Sequence, residues 1–376
     1  TEHRHRLFGL VFEGLLRGKT MKNPVSRALY FAYSYVYFLA VFIRNKKRTA
    51  VVDYPFRIFN IELTNKCPMK CIMCSRTYGM TREQGFMDFQ VFKKAIDELM
   101  QYNRDYASGK KDLWLHHFGE SLLHPEFDKF IAYASGKGIS VCLSVNPIML
   151  TAERTSRLIG SKPRLLYLSL DGHDDESFFK IRGMRNAYER SKENILNFLE
   201  LKNRCGSGME TILSMINFRA NEEAIRKVKR FWEKQPYLDG FLIKKFANWD
   251  GSVAEVNALD TGDSPYTYRA KILNRLTTCN IPWETLTIAW DGDVIPCCLD
   301  YNKKYVLGNI KDSSLSDIWN NERMVGLRNQ FISNEVGNPL CVVCRELRGP
   351  HPLWSTRISL VVVKWLMFLK SRFFRT

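Results

Sequence analysis

The sequence lacks an apolar run long enough to cross a bilayer comfortably. Ala28 to Ile43 is sixteen residues without a charge. As a helix that stretch reaches only ~24 Å, short of the hydrocarbon thickness. No stretch reads as a cleavable signal, and there is no internal repeat. The ten cysteines sit in clusters with metal spacing. They do not read as a disulfide scaffold, which points to a reducing cytoplasm. Positive charge is scarce in the middle of the chain. Of the net +17, residues 1–50 carry +8 and residues 345–376 carry +6, leaving +3 for the body between them. A nucleic-acid enzyme would concentrate its basic groups around its working face, so nucleic acid is not an expected partner.

What is present suffices for one large α/β domain and a smaller one. Hydrophobic residues make up 45% of the 376, enough for a sizeable core. The basic ends are also apolar. Ala28–Ile43 is rich in Tyr, Phe and Val and is bounded by Arg27 and by Arg44 to Arg48. On a helix from Ile358 to Phe374, Arg357, Lys364, Ser371 and Arg375 share one face, and Val361, Val362, Trp365, Leu366, Phe368 and Leu369 cover much of the rest. A basic stripe on a broad apolar helix suits a membrane surface. The alternative is that both segments pack on the protein itself.

Between the ends, strand-like and helix-like stretches alternate. Strands are expected at Phe56–Leu63, Leu113–Phe118, Ile139–Val145, Leu165–Leu170, Thr211–Ile216 and Gly240–Lys245. Helices are expected at Asp88–Met100, Glu126–Ser135, Thr151–Leu158, Ala187–Leu201 and Glu222–Glu233. Such alternation argues a parallel sheet of βαβ units. The expected organisation is a helical N-terminal segment (1–52), an α/β body (53–247), a linker with little regular structure (248–270), a cysteine-rich unit (271–350) and a C-terminal helix (351–376).

Directly after the first strand comes Thr64-Asn-Lys-Cys-Pro-Met-Lys-Cys-Ile-Met-Cys74. The spacing C-x3-C-x2-C supplies three thiolates, Cys67, Cys71 and Cys74, and no obvious fourth, whereas structural zinc and ordinary ferredoxin sites close with four ligands. The run resembles the signature of the radical SAM superfamily. The resemblance implies a partial (β/α)6 barrel and a 4Fe–4S cluster on Cys67, Cys71 and Cys74. It also implies S-adenosylmethionine (SAM) on the open iron, cleaved reductively to a 5′-deoxyadenosyl radical with electrons from a ferredoxin or flavodoxin. The residue before the third cysteine is often aromatic in that family; here it is Met73, soft enough to pack on adenine. A structural zinc is the competing reading.

Further segments resemble the family's motifs at successive strand ends. His116-His-Phe-Gly-Glu-Ser-Leu-Leu-His-Pro125 resembles its GGE-type segment, with Ser121 where the family has proline. By that match Gly119 admits close approach to SAM and Glu120 holds the methionyl ammonium. Leu143-Ser-Val-Asn146 and Ser169-Leu-Asp171-Gly172 resemble two others, making Ser144, Asn146, Ser169 and Asp171 SAM or substrate candidates. Arg182 matches a position that pairs with a carboxylate. For each of these strand-end residues, turn chemistry is the plain alternative. His116 and His117 are weaker candidates for a direct role.

The C-terminal unit holds Cys279, a hairpin signal around Asp291 and Gly292, Cys297, Cys298, and Cys341-Val-Val-Cys344. It resembles a SPASM domain. By that resemblance Cys279, Cys297, Cys341 and Cys344 hold one auxiliary 4Fe–4S cluster, since the further cysteines of fuller SPASM domains are missing. Cys298 is an alternative ligand and a zinc ribbon the alternative site. Cys142 reads as core, and Cys205 and Cys298 as possible hydrogen-atom donors. The resemblance implies an oxidoreductase or epimerase-type enzyme that removes hydrogen from an unactivated carbon. The greasy basic ends favour a lipid or lipid-linked substrate and a peripheral place at the inner membrane face. Peptide maturation and an electron-carrier role are the rivals. The N-terminal fifty residues do not read as a peptide-binding module.

Overall fold

The computed structural model describes residue 43 and residues 45–107, 109, 111–260 and 279–344. The amphipathic ends invoked for membrane binding therefore lie outside the described residues, apart from the stretch next to Arg48. Among the described residues no helix is long and apolar enough to cross a membrane.

The sheet has nine strands: β1 (Arg57–Ile61), β2 (Asp112–Trp114), β3 (Ser140–Val145), β4 (Leu165–Ser169), β5 (Glu210–Asn217), β6 (Gly240–Lys245), β7 (Thr285–Ile288), β8 (Asp293–Ile295) and β9 (Gly308–Asn309). Their order is β6-β5-β4-β3-β2-β1-β7-β8-β9. Strands β1 to β6 and β7 pair in parallel, and β8 and β9 add antiparallel. The six expected strands are all present. Among the described residues the sheet stays open, with β6 and β9 at its edges and no barrel closure. The last three strands come from the expected C-terminal unit and extend the same sheet. Strand β7 continues the sheet by pairing with β1, from Arg57 opposite Thr285 to Ile61 opposite Ile288.

The helices that position the site are α1 (Ser75–Gly79), α2 (Phe89–Tyr102), α3 (Phe127–Gly136), α4 (Ala152–Gly160), α5 (Asp175–Arg182), α6 (Tyr188–Arg204) and α7 (Glu222–Trp232). Three of them, α2, α4 and α5, start where short polar side chains satisfy free amides. Asp88 accepts from Gln90 and Val91, Thr151 from Arg154, and Asp174 from Ser177 in a capping box. Helix α5 was not expected from the periodicity. Its signals were the Asp174 and Ser177 capping pair and Gly183, which ends it at φ 74°.

The strands divide their residues between two unlike faces. Leu113, Val141, Leu143, Val145, Leu166, Leu168, Leu213 and Met215 are fully buried and join Phe92, Phe130, Ile195 and Phe198 of the helices in one core. Each such side chain contributes about 1.5–3 kcal/mol by leaving water. On the opposite face the paired positions read Asn60, Trp114, Ser144, Tyr167, Ser169, Ser214 and Lys244.

One boundary shifts. Residues 48–52 belong with the C-terminal unit: Asn320 bonds both the amide and carbonyl of Val52, Trp283 donates to Thr49 O, and Arg328 donates to Ala50 O. Residues 248–260, the described part of the expected linker, have little regular structure but are packed. They include the short helix Ala254–Asn257, and buried Asp250 takes an ion pair from Lys304 at 2.7 Å. The rest of the expected linker lies outside the described residues.

Candidate active site

The cysteine loop begins just past the carboxyl end of β1, and backbone contacts define its shape. Arg76, in α1, donates to the carbonyls of Asn65, Cys67 and Met69 at 3.1, 2.7 and 3.3 Å. Thr77 Oγ1 donates to Cys71 O at 2.9 Å. Five hydrogen-bond donors on one planar group suit Arg76 to this clamp. From outside the loop, the amides of Lys70 and Ile72 donate to the carbonyls of Arg182 and Ile181, docking the end of α5 against it. Gly183 must be small there, because a Cβ would lie 2.7 Å from Lys70 O. Gly119 has the same role on the other side. A Cβ on it would come within 1.9 Å of Thr64 O, and the next amide, Glu120 N, donates to Lys66 O. Glycine at 119 thus permits two chain segments to touch.

Burial pushes the Cys67 thiol up to about 12 and the Cys74 thiol up to about 11, and raises Cys71 as well. Arg182 Nη1 lies 3.7 Å from Cys71 Sγ and offsets part of that cost. Arg182 also pairs with Asp171 at 2.5 Å. The other Asp171 oxygen accepts from Ile216 N and Asn221 Nδ2. The Asp171 carboxylate is thus occupied by protein partners that tie the ends of β4 and β5 to the end of α5.

Glu120 is different. Its two oxygens accept only backbone amides, Leu122 N at 3.1 Å and Asn146 N at 2.7 Å. Burial raises its carboxyl to about 7, and those two hydrogen bonds offset only part of the rise. Asn146 Nδ2 is buried without a partner, while Ser144 and Ser169 bond each other at 3.0 Å. Met73 is buried in the core, and its carbonyl accepts from Trp249 Nε1. Next to the loop, buried Glu62 is held well below the usual carboxylate range. Burial opposes its charge, but hydrogen bonds from His117 and Arg82, and the charge of Arg82, outweigh it. His117 also reaches Cys298 O at 2.7 Å.

In the C-terminal unit, Cys279 is raised by burial and then by the nearness of Cys341 and Cys344, and Cys297 is raised by its neighbour Cys298, by burial, and by Cys279 and Cys344. Each of the four expected ligands thus lies within electrostatic reach of at least one other. Gly292, at φ 91°, lets Asn309 pack on the β7–β8 turn, where a Cβ would sit 2.8 Å from Asn309 Oδ1. Gln330 Oε1 accepts from Gly337 N, Asn338 N and Asn338 Nδ2, and Asn338 in turn accepts from Cys341 N.

Two family models match this chain: the radical SAM superfamily over residues 61–231 and an iron–sulfur cluster-binding domain, SPASM, over residues 279–346. The chain thus carries a radical SAM domain followed by a SPASM domain. A tungsten-containing aldehyde ferredoxin oxidoreductase cofactor-modifying protein of Pyrococcus furiosus is 24% identical over 319 residues, covering 76% of this chain and 86% of its own. A mycofactocin maturase of Mycobacterium ulcerans is 24% identical over 279 residues, covering 69% and 73%. Among solved structures, Streptococcus suis SuiB bound to precursor peptide SuiA superposes with a TM-score of 0.56 at 16% identity, over 88% of this chain and 76% of that one. That likeness speaks for the fold.

The radical SAM domain implies SAM and a 4Fe–4S cluster and the SPASM domain implies auxiliary iron–sulfur chemistry, and the residues present fit these groups. Burial keeps these thiols protonated, and a cluster would replace their protons with metal charge. None of the ten cysteines is in a disulfide. Among the described residues no three His, Cys, Asp or Glu side chains converge on one ion, whereas a cubane spreads its ligands over separate iron corners. Glu120, a buried carboxylate without a cation, fits a bound ammonium. Cys142 is buried in β3 with Arg164 against its sulfur. Cys205 is exposed just past α6, where the chain returns to the start of β5. That is the end of the sheet opposite the one from which the cysteine loop springs. The sequence reading missed Arg76, Trp249 and Lys244; only Arg76, two residues past Cys74, left a usable signal.

Proposed function

We propose that this radical SAM enzyme removes a hydrogen atom from an unactivated carbon of a polar substrate, with a peptide as the leading class. When bound, the cluster and SAM supply a one-electron cleavage that yields a hydrogen-abstracting adenosyl fragment. The chain's own residues bind and orient. Cys67, Cys71 and Cys74 hold the cluster; Arg76, Gly119 and Gly183 fix the loop that carries them; Glu120 holds the methionyl ammonium. Ser144, Ser169 and Asn146 line the strand ends where ribose and carboxylate oxygens need partners. Asp171 and Arg182 position the loops, and the Arg182 guanidinium also stabilises the Cys71 thiolate. Cys279, Cys297, Cys341 and Cys344 hold one auxiliary cluster.

Glu120 is the observation that carries this reading: a carboxylate sealed beside the three-cysteine loop with amides as its only partners. The peptide class is supported by the maturase relative and by the polar face of the sheet, which offers hydrogen-bonding groups that an acyl chain cannot use. A lipid-linked substrate rested on terminal segments outside the described residues. The test is anaerobic, reduced protein given SAM. Release of 5′-deoxyadenosine is expected, and stimulation by peptide pools rather than by lipid extracts. No release would overturn the chemistry, and stimulation by lipid alone would overturn the substrate class.

A further inference from the structure

The polar sheet face carries a cluster that the cofactor chemistry leaves unused. Lys244 is the fifth residue of β6, toward the same end of the sheet as the cysteine loop. Its Nζ lies 4.4 Å from the centroid of the Tyr167 ring. That ring lies 5.2 Å from Trp114, and Trp114 meets His116 edge-on at 5.3 Å. Among the described residues no carboxylate makes an ion pair with Lys244. Asp171 is near enough to influence it, but is already engaged by Arg182. His116 Nδ1 is buried without a hydrogen-bond partner, and so are Asn60 Oδ1, Ser214 Oγ and Thr287 Oγ1 on the same face. Buried polar atoms are nearly always paired. The unpaired His116 Nδ1 and Ser214 Oγ, on the face that carries this uncompensated cation, mark a surface shaped for a ligand.

We propose that Lys244, Tyr167, Trp114 and His116 form a subsite for a carboxylate carried by the substrate, such as an acidic peptide side chain. The ammonium supplies the charge, the two rings wall the subsite and strengthen the attraction by excluding water, and His116 Nδ1–H donates a hydrogen bond beside it. Burial lowers the Lys244 ammonium to about 8 and the His116 imidazole to about 3. At neutral pH the first is therefore still charged and the second is a neutral donor. This subsite narrows the polar-substrate reading above and rests on it.

The test uses the full, cluster-loaded chain and glutarate as probe. Unfolding midpoints are titrated against glutarate and against its uncharged diamide, glutaramide, with and without saturating SAM and in the absence of reductant. Glutarate is expected to raise the midpoint and glutaramide to leave it unchanged. Lys244→Met should weaken glutarate by at least about tenfold, Lys244→Arg should keep most of the response, and Lys227→Met, which removes an exposed charge paired with Glu223, should match the parent. The response should persist with SAM bound. A second readout needs no variant: acylation of Lys244 in the parent protein, followed by peptide mass spectrometry, should be slowed by glutarate and not by glutaramide. The subsite is overturned if the parent ignores glutarate, if glutaramide does as well, if Lys244→Met responds like the parent, or if SAM abolishes the response, which would assign the carboxylate to SAM itself. Failure to release 5′-deoxyadenosine would count against the proposed chemistry and leave these titrations readable.

Discussion

The two cysteine regions solve opposite problems. The loop at 67–74 gathers three thiols and is held in shape by neighbours that contribute no thiol: the Arg76 clamp, the Gly119 contact and the Gly183 contact. The set proposed at 279–344 would draw four from distant points of the chain, with the β7–β8 turn and the Gln330 and Asn338 bonds shaping the segments that carry them. Beside the first sits a carboxylate lacking a cation, whereas the charges around the β7–β8 turn are paired, Lys303 meeting both Asp291 and Asp293. An open site needs its coordinating loop fixed from outside, because the missing ligand is also a missing crosslink. A closed site can brace itself.

Gly119→Ala breaks the comparison most strongly. A Cβ there collides with backbone that cannot yield, so the first cluster should be lost and the second kept. Iron per chain, measured after anaerobic reconstitution, should fall from ~8 to ~4 atoms. Cys344→Ala should give the mirror result: loss of the auxiliary cluster signal with SAM binding retained, read by electron paramagnetic resonance and SAM titration. Glu62→Gln removes the acid partner of buried Arg82 and should destabilise by about 3–5 kcal/mol in chemical denaturation. Because the Glu62 carboxyl is held below its ordinary range when folded, its contribution is present above that range and lost as pH falls through it. The gap between parent and variant should therefore shrink in acid. Arg76→Lys loses the forked contact to three carbonyls and should cost about 1.5–3 kcal/mol, with faster loss of the first cluster in air. Glu120→Gln should have the smallest effect on folding while weakening SAM about tenfold by calorimetry. If it bound SAM as tightly as the parent, the assignment of Glu120 to the ammonium would fail.

The alternation of apolar and mixed positions made the six parallel strands legible, because a strand half-buried against helices writes its two faces into the residue order. The C-x3-C-x2-C spacing made the first site legible for a similar local reason. Helix α5 was harder to read: a single turn of apolar spacing between capping residues carries little periodic signal. The pairing of β7 with β1 could not be read at all, since the partners lie more than two hundred residues apart and share no local mark.

The amino-acid order by itself determined which short segments form strands and helices, where the cysteines cluster and which residues fall near strand ends, since each depends on interactions within a few residues. Only the folded chain decided that Gly119 serves a backbone contact with Thr64, that the Asp171 carboxylate is consumed by Arg182 and Asn221 while Glu120, among the described residues, has only amides for partners, and that Lys244 comes to rest on Tyr167 with no counter-ion among those residues. Charge compensation and close approach are properties of neighbours in space, and tertiary packing alone selects those neighbours.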